Sequence, residues 1–233
     1  MISSIPIRTD GKPPVILCLG AHCDDIEIGC GGTMLRLARQ CPEATVRWVV
    51  MCSNDIRRRE ASASAKQFLR NLPNGSVTFE TFRDGFLPHS GGKVKDFFET
   101  LKKEESPDLI LTHYRHDLHQ DHRTVCDLTW NTWRNHLIWE YEIPKYDGDL
   151  GAPNLFVHLS ETEVSEKTEI LLEAFETQRA HHWFDADTFR GLLRLRGIES
   201  NAPGRFAEAF YGRKLAMGLF GDQTREPRDL RTP

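Results

Sequence analysis

The segment Ala21-His22-Cys23-Asp24-Asp25-Ile26-Glu27 sets an imidazole beside two adjacent carboxylates, directly after the apolar run Val15-Ile16-Leu17-Cys18-Leu19. That run reads as a buried strand, and the exit of such a strand is where an open α/β sheet keeps its chemistry. A second concentration of ligand-type side chains, His119-Gln120-Asp121-His122, follows another apolar run, Leu109-Ile110-Leu111. A hydrolytic metal site needs about three His/Asp/Glu ligands, an open position for water and a separate base. His22, Asp25 and His122 can fill the ligand places, which leaves Asp24 and His119 free for proton transfer. The competing reading makes the carboxylates helix caps and the histidines loop surface. The placement of both clusters at strand exits favours one assembled metal site.

The first cluster continues to Thr33 as AHCDDIEIGCGGT. It resembles the first motif of the PIG-L/LmbE-like zinc-dependent de-N-acetylases, approximately AHPDDxExGxGGT, and His119 to His122 resembles their second, HPDH. The sequence departs at Cys23 and Gln120, where the family usually has proline, a stiffening residue rather than a ligand. Weaker similarity runs through 112–118, 140–144 and 207–210. The resemblance implies that His22, Asp25 and His122 are the ligands of Zn2+ and that Asp24 is the general base. Fe2+ is an alternative, since a His/His/Asp site accepts both. His119, three residues before His122, can project to the same face of a helix start and is the candidate donor to a tetrahedral oxyanion. Asp121 is expected to orient an imidazole through its ring N–H, with a plain helix N-cap as the alternative.

These residues need a scaffold. At 233 residues the chain suits one well-buried α/β domain, expected over 1–221 with a polar tail at 222–233. Val15 to Leu19, Thr45 to Met51, Val77 to Phe82, Leu109 to Thr112 and Leu137 to Ile143 read as strands. Helices are expected at Thr33 to Arg39, entered through the glycines at 29, 31 and 32, and at Arg57 to Leu72, Lys93 to Lys103 and Asp121 to Asn135. This alternation predicts a single Rossmann-like domain with a mostly parallel sheet, helices on both faces, and the active site at the C-terminal ends of the strands. Later come a strand at Leu155 to Leu159, a helix opened by the capping-box spacing Ser160 to Glu163 and running to about Arg179, a helix near Asp187 to Arg196, and a last strand at Ala207 to Tyr211.

Charged residues make up 27% and the formal net charge is −4, so no global basic field attracts nucleic acid or an anionic membrane. No apolar stretch approaches the roughly 20 residues of a membrane span, and the N-terminus has no secretory signal; a cytoplasmic protein is expected. The six cysteines form no CxxC pair and no disulfide framework. Cys23, between His22 and Asp24, could approach a metal, although packing beneath the loop is the better reading. The pair Gly31-Gly32 invites a dinucleotide site, but the carboxylates of Asp24, Asp25 and Glu27 would repel a diphosphate.

A small-molecule amino-sugar is the expected substrate, with Arg57 and Asp117 as candidate contacts. Trp130, Trp133 and Trp139 read as packing residues, and His181-His182 as a cleft rim or a homo-oligomer contact. The expected reaction is removal of an N-acetyl group from an N-acetylglucosamine-type sugar. The alternatives are an amidase for another small amide, such as a thiol conjugate, and a non-catalytic sugar-binding module.

Overall fold

The computed structural model describes residues 11–215; the expected boundary at 221 and the tail lie outside them. In chain order the elements are β1 Val15–Gly20, α1 Asp25–Gln40, β2 Thr45–Val50, α2 Asp55–Phe68, β3 Asn74–Phe79, α3 Gly91–Glu104 and β4 Leu109–His113. There follow α4 Gln120–Thr132, β5 Leu137–Tyr141, β6 Leu155–Leu159, α5 Glu161–Ala174, α6 Ala186–Glu199 and β7 Phe206–Gly212.

The seven strands form one sheet in the order β3-β2-β1-β4-β5-β7-β6. β1 to β5 pair in parallel, while β7 runs antiparallel between β5 and β6. The expected mostly parallel α/β architecture is therefore present. Strand order reverses between β1 and β4, and the crevice at the carboxyl ends of such a pair is where doubly wound sheets bind their ligands. Both ligand-bearing clusters leave the sheet there: 21–25 follows β1 and 114–122 follows β4.

Alternate residues of a strand face opposite sides, and β1 shows why its run is apolar throughout. Ile16 and Cys18 pack with Met34 of α1, Phe68 of α2 and Leu171 of α5. Leu17 and Leu19 pack with Val94 and Phe98 of α3 and Val125 of α4 on the other face. With hydrophobic layers on both sides, the strand ends are held firmly enough to place catalytic side chains.

Element bounds differ from expectation in several places; α2 ends at Phe68 and α4 at Thr132, short of the expected Leu72 and Asn135. α1 begins at Asp25, eight residues before the expected Thr33, and passes through the glycines with a break at Cys30 (φ −146°, ψ 16°). Close packing explains those glycines: a Cβ at Gly29 would lie 2.2 Å from the Tyr141 ring and one at Gly31 2.7 Å from Phe68. β3 is set three residues earlier than expected, by its register of Thr45 with Asn74 through Val50 with Phe79. The capping box at Ser160 and Glu163 forms as expected, but α5 ends at Ala174 because Phe175 is buried among Phe184 and its neighbours and the chain turns there. Trp133 is fully buried, Trp139 packs against Phe210, and Trp130 lies beneath the Arg213 guanidinium.

Candidate active site

Pairing at the top of β1 continues past its last residue: Met51 and Cys52 donate N–H bonds to the carbonyls of Gly20 and Ala21. The loop carrying His22 is thus fixed to β2 as well as β1. Asp25 accepts the His22 N–H at 2.6 Å, which folds its carboxylate back over the loop. From the other side, α4 presents His122 in its first turn.

Three side chains converge, Asp25 through both of its carboxylate oxygens. His22 Nδ1 lies 3.2 Å from His122 Nε2 and 3.4 Å from Asp25 Oδ2, and His122 Nε2 lies 3.4 Å from Asp25 Oδ1. Tetrahedral bonds of the length zinc makes to nitrogen and oxygen place ligand atoms roughly 3.3–3.5 Å apart. The donor triangle therefore fits a divalent cation of that kind. Neighbouring groups form three further clusters with ligand spacing: His22 with Cys52 and Asp121, Asp25 with His113 and His122, and His22 with His119 and His122. In the first, burial pushes the Cys52 thiol up to about 12, which disfavours the thiolate form that binds metal. In the second, His113 is fully buried with Nε2 accepting the Ala21 N–H at 2.9 Å, and its ring stacks on His122 at 4.0 Å. His113 thus forms the floor of the site, a task that its place at the end of β4 only hints at.

Charge around the triangle suits a cation. Burial alone would push the Asp25 carboxyl up, but His122, His113 and His22 around it hold it well below the usual carboxylate range. His22 behaves conversely: burial opposes its charge, while Asp25, Asp121 and Asp84 together raise its pKa well above the ordinary value. Carboxylates that favour positive charge on His22 would favour a cation there as well. Burial, then His113, lowers His122 to about 4, so its ring is neutral at pH 7.

Each imidazole is oriented from behind, as metal-binding histidines usually are. His22 Nε2 meets Asp121 Oδ2 at 3.3 Å and Asp84 Oδ1 at 3.1 Å. Asp121 is fixed in turn by the N–H groups of Gly85 and Leu87. It is not the helix N-cap, since His119 holds that place. His122 Nδ1 meets Asp117 Oδ2 at 2.9 Å. Asp117 is 2% exposed and also takes the His119 N–H and the Lys145 ammonium. Asp117, expected as a substrate contact, thus sits behind His122 and is not among the residues lining the cavity.

Asp24 occupies the N-cap position of α1, yet its side chain makes no capping bond. It meets Arg57 Nη2 at 3.0 Å instead. Burial raises the Asp24 pKa and the guanidinium of Arg57 works against that rise. Arg57 is held by Glu60 at 3.1 Å and by the face of Phe175. His119 Nδ1 accepts the Asp121 N–H at 3.3 Å, so the neutral ring carries its proton on Nε2. Burial, then the His22 charge, lowers its pKa. Cys23 is buried with its thiol donating to the Cys52 carbonyl, and burial pushes it up to about 12. Glu27 is wholly buried, and burial drives its carboxyl well up, against the third negative charge expected there.

A cavity of about 700 Å³ opens over the triangle, with Asp24, His119 and Arg57 on its walls. Its outer rim carries Arg83, Tyr146, His181 and Trp183. Of these, sequence reasoning names only His181, as a rim residue; Trp183 and Tyr146 sit in irregular segments with no periodicity to mark them.

A mostly parallel sheet bearing a His/Asp donor triangle, a separate buried carboxylate and an imidazole N–H at its switch point suits metal-dependent hydrolysis. Comparison with known proteins narrows the class. Residues 17–133 match the model of the PIG-L family, GlcNAc-PI de-N-acetylase, and the chain belongs to that family. It is 27% identical over 135 residues to the uncharacterized deacetylase YaiS of Escherichia coli, covering 54% of this chain and 71% of that one. Among solved structures, N,N'-diacetylchitobiose deacetylase from Pyrococcus horikoshii matches with a TM-score of 0.67 at 21% identity, over 85% of this chain and 83% of that one. GalB, the 4-carboxy-2-hydroxymuconate hydratase of Pseudomonas putida, matches with a TM-score of 0.67 at 15% identity, over 88% and 98%. One fold thus carries deacetylase and hydratase alike; it is family membership that makes this protein an amide-cleaving deacetylase.

Proposed function

We propose that the protein is a zinc-dependent hydrolase that removes the N-acetyl group from an N-acetylglucosamine-type amino-sugar. The observation that supports it best is the pairing of the donor triangle with Asp24, a buried carboxylate that caps nothing and is aimed by Arg57. His22, Asp25 and His122 would hold the cation. When bound, zinc supplies Lewis-acid polarisation and makes water acidic enough to lose a proton near neutral pH.

Asp24 takes the proton of the attacking water as oxygen adds to the acetyl carbon. His119 donates its Nε2–H to the oxyanion that forms, and removing one such donor typically costs about 10²–10³-fold in rate. The C–N bond then breaks, acetate leaves, and the proton held at Asp24 passes to the amine nitrogen. Asp117 and Asp121 keep the two metal-binding rings in the required tautomer and orientation.

The cavity volume lies within the roughly 300–1,000 Å³ of sites for drug-sized ligands, more room than a lone hexosamine ring needs. Trp183 and Tyr146 offer flat apolar faces at its mouth. A glycosidic or nucleotide-linked N-acetylhexosamine therefore fits better than the free sugar. Among the described residues no helix is long and apolar enough to cross a membrane.

The deciding experiment measures acetate release by zinc-loaded protein from free, glycosidic and nucleotide-linked N-acetylhexosamines, with Asp24→Ala alongside. Release is expected to need both zinc and Asp24, with a linked sugar ranking first. No release from any compound by zinc-bound protein would refute the proposal.

A further inference from the structure

The break in α1 is filled by two side chains from the far end of the chain. In an uninterrupted helix the Gly32 N–H would bond the Ile28 carbonyl and the Thr33 N–H the Gly29 carbonyl. Here Glu208 of β7 takes the Gly32 N–H at 2.7 Å, the Thr33 N–H at 2.6 Å and the Thr33 hydroxyl at 2.6 Å. Lys167 of α5 donates to the Ile28 carbonyl at 2.6 Å and to Glu208 at 2.7 Å. The carboxylate lies at the N-terminus of the second helical half and the ammonium at the C-terminal end of the first, each where the helix dipole favours it.

Both side chains are 2% exposed. A buried ion pair is weak evidence for stability, because well-packed apolar residues often serve as well. What the pair adds is direction: it sets the angle between the two halves of α1. The first half is short, carries Asp25 at its first position and follows directly from Asp24. Its other side, at Gly29, lies against the Tyr141 ring, whose hydroxyl is tied to the Leu19 carbonyl. The half-helix is therefore clamped between Tyr141 and Lys167, with no free adjustment left for the two carboxylates.

We propose that Lys167 and Glu208 are a positioning pair, which aims Asp24 and Asp25 at the metal site through the break in α1. The inference rests on the reading that His22, Asp25 and His122 hold a divalent cation. The test compares zinc affinity, by competition with a chromophoric chelator, in wild type, Lys167→Met, Glu208→Gln and Glu142→Gln. Glu142 forms another buried ion pair, with Arg196 at 2.7 Å, and its further bond is to the Tyr211 hydroxyl rather than to α1. It is thus a control for general loosening.

With folding monitored by circular dichroism, Lys167→Met and Glu208→Gln are expected to weaken zinc binding about 10–100-fold, the usual loss when support behind a ligand is removed. Glu142→Gln is expected to lower the melting temperature and leave zinc affinity as in wild type. Glu208→Gln keeps the side chain's shape and carries the test alone where Lys167→Met does not fold. Folded variants with wild-type affinity, or an equal loss in Glu142→Gln, overturn the positioning role. Wild-type protein that binds no zinc overturns the cation reading, and this inference with it.

Discussion

Replacing Asp117 by asparagine separates two tasks open to this residue, substrate contact and support of a metal-binding ring. Its oxygens face donors on every side: Oδ1 takes the His119 N–H at 2.8 Å, and Oδ2 takes His122 Nδ1–H at 2.9 Å and Lys145 at 2.9 Å. Burial works to raise its carboxyl, but His122, His113 and Lys145 hold it well below the usual range, so it is an acceptor at any working pH. An amide has one acceptor end. Whichever way the substituted side chain turned, its NH2 would confront either His119 N–H or the His122–Lys145 pair. In the second case His122 shifts its proton to Nε2 and withdraws the lone pair from the triangle. The expected cost is about 10–100-fold in zinc affinity, or about 1.4–2.8 kcal/mol at 1.4 kcal/mol per tenfold. The assay follows initial rates in zinc-buffered solution across free-metal concentration, then measures KM at saturating zinc. The half-saturating zinc concentration should rise while KM at saturation stays put. An unchanged zinc midpoint with a raised KM would show that Asp117 meets substrate and that the reasoning is wrong.

Three further outcomes are expected. Arg57→Ala leaves Asp24 buried without its cation and should lower kcat by about 10²-fold, the scale of a misplaced catalytic group; a change confined to KM would make Arg57 a substrate contact instead. Gly29→Ala drives a methyl to 2.2 Å from the Tyr141 ring and should cost about 1–3 kcal/mol of stability by urea titration, as overpacking does; an unchanged midpoint would contradict the close packing. Cys52, held up to about 12 by burial, should resist iodoacetamide at pH 8 in the folded protein, since thiolate is the reactive form. Rapid labelling of Cys52 ahead of the half-exposed Cys41 would refute that burial.

The site is legible in the sequence where chemistry and strand context coincide. His22, Asp24, Asp25, His119 and His122 stand on or beside apolar runs, and the parallel sheet brings those run ends together. Relations that depend on packing are not legible. Asp117 can be placed near a strand exit, but not which way it faces. Because glycine disfavours helix interiors, the sequence points to a start of α1 after the glycines; contacts with Tyr141, Phe68 and Leu159 override that preference. The Ala207 to Tyr211 strand is readable, yet nothing in its composition shows that it runs antiparallel between β5 and β6. Glu208, within it, stands in a segment of weak similarity, with no sign that it reaches α1.

The bond from Gly32 to Glu208 joins residues 176 positions apart. On a ribosome, the loop with His22 and Asp25 emerges well before the strand that settles the following helix. Every residue between them must therefore be made before the donor triangle acquires its final shape. A nascent chain exposes these histidines and carboxylates without a finished socket until β7 is in place.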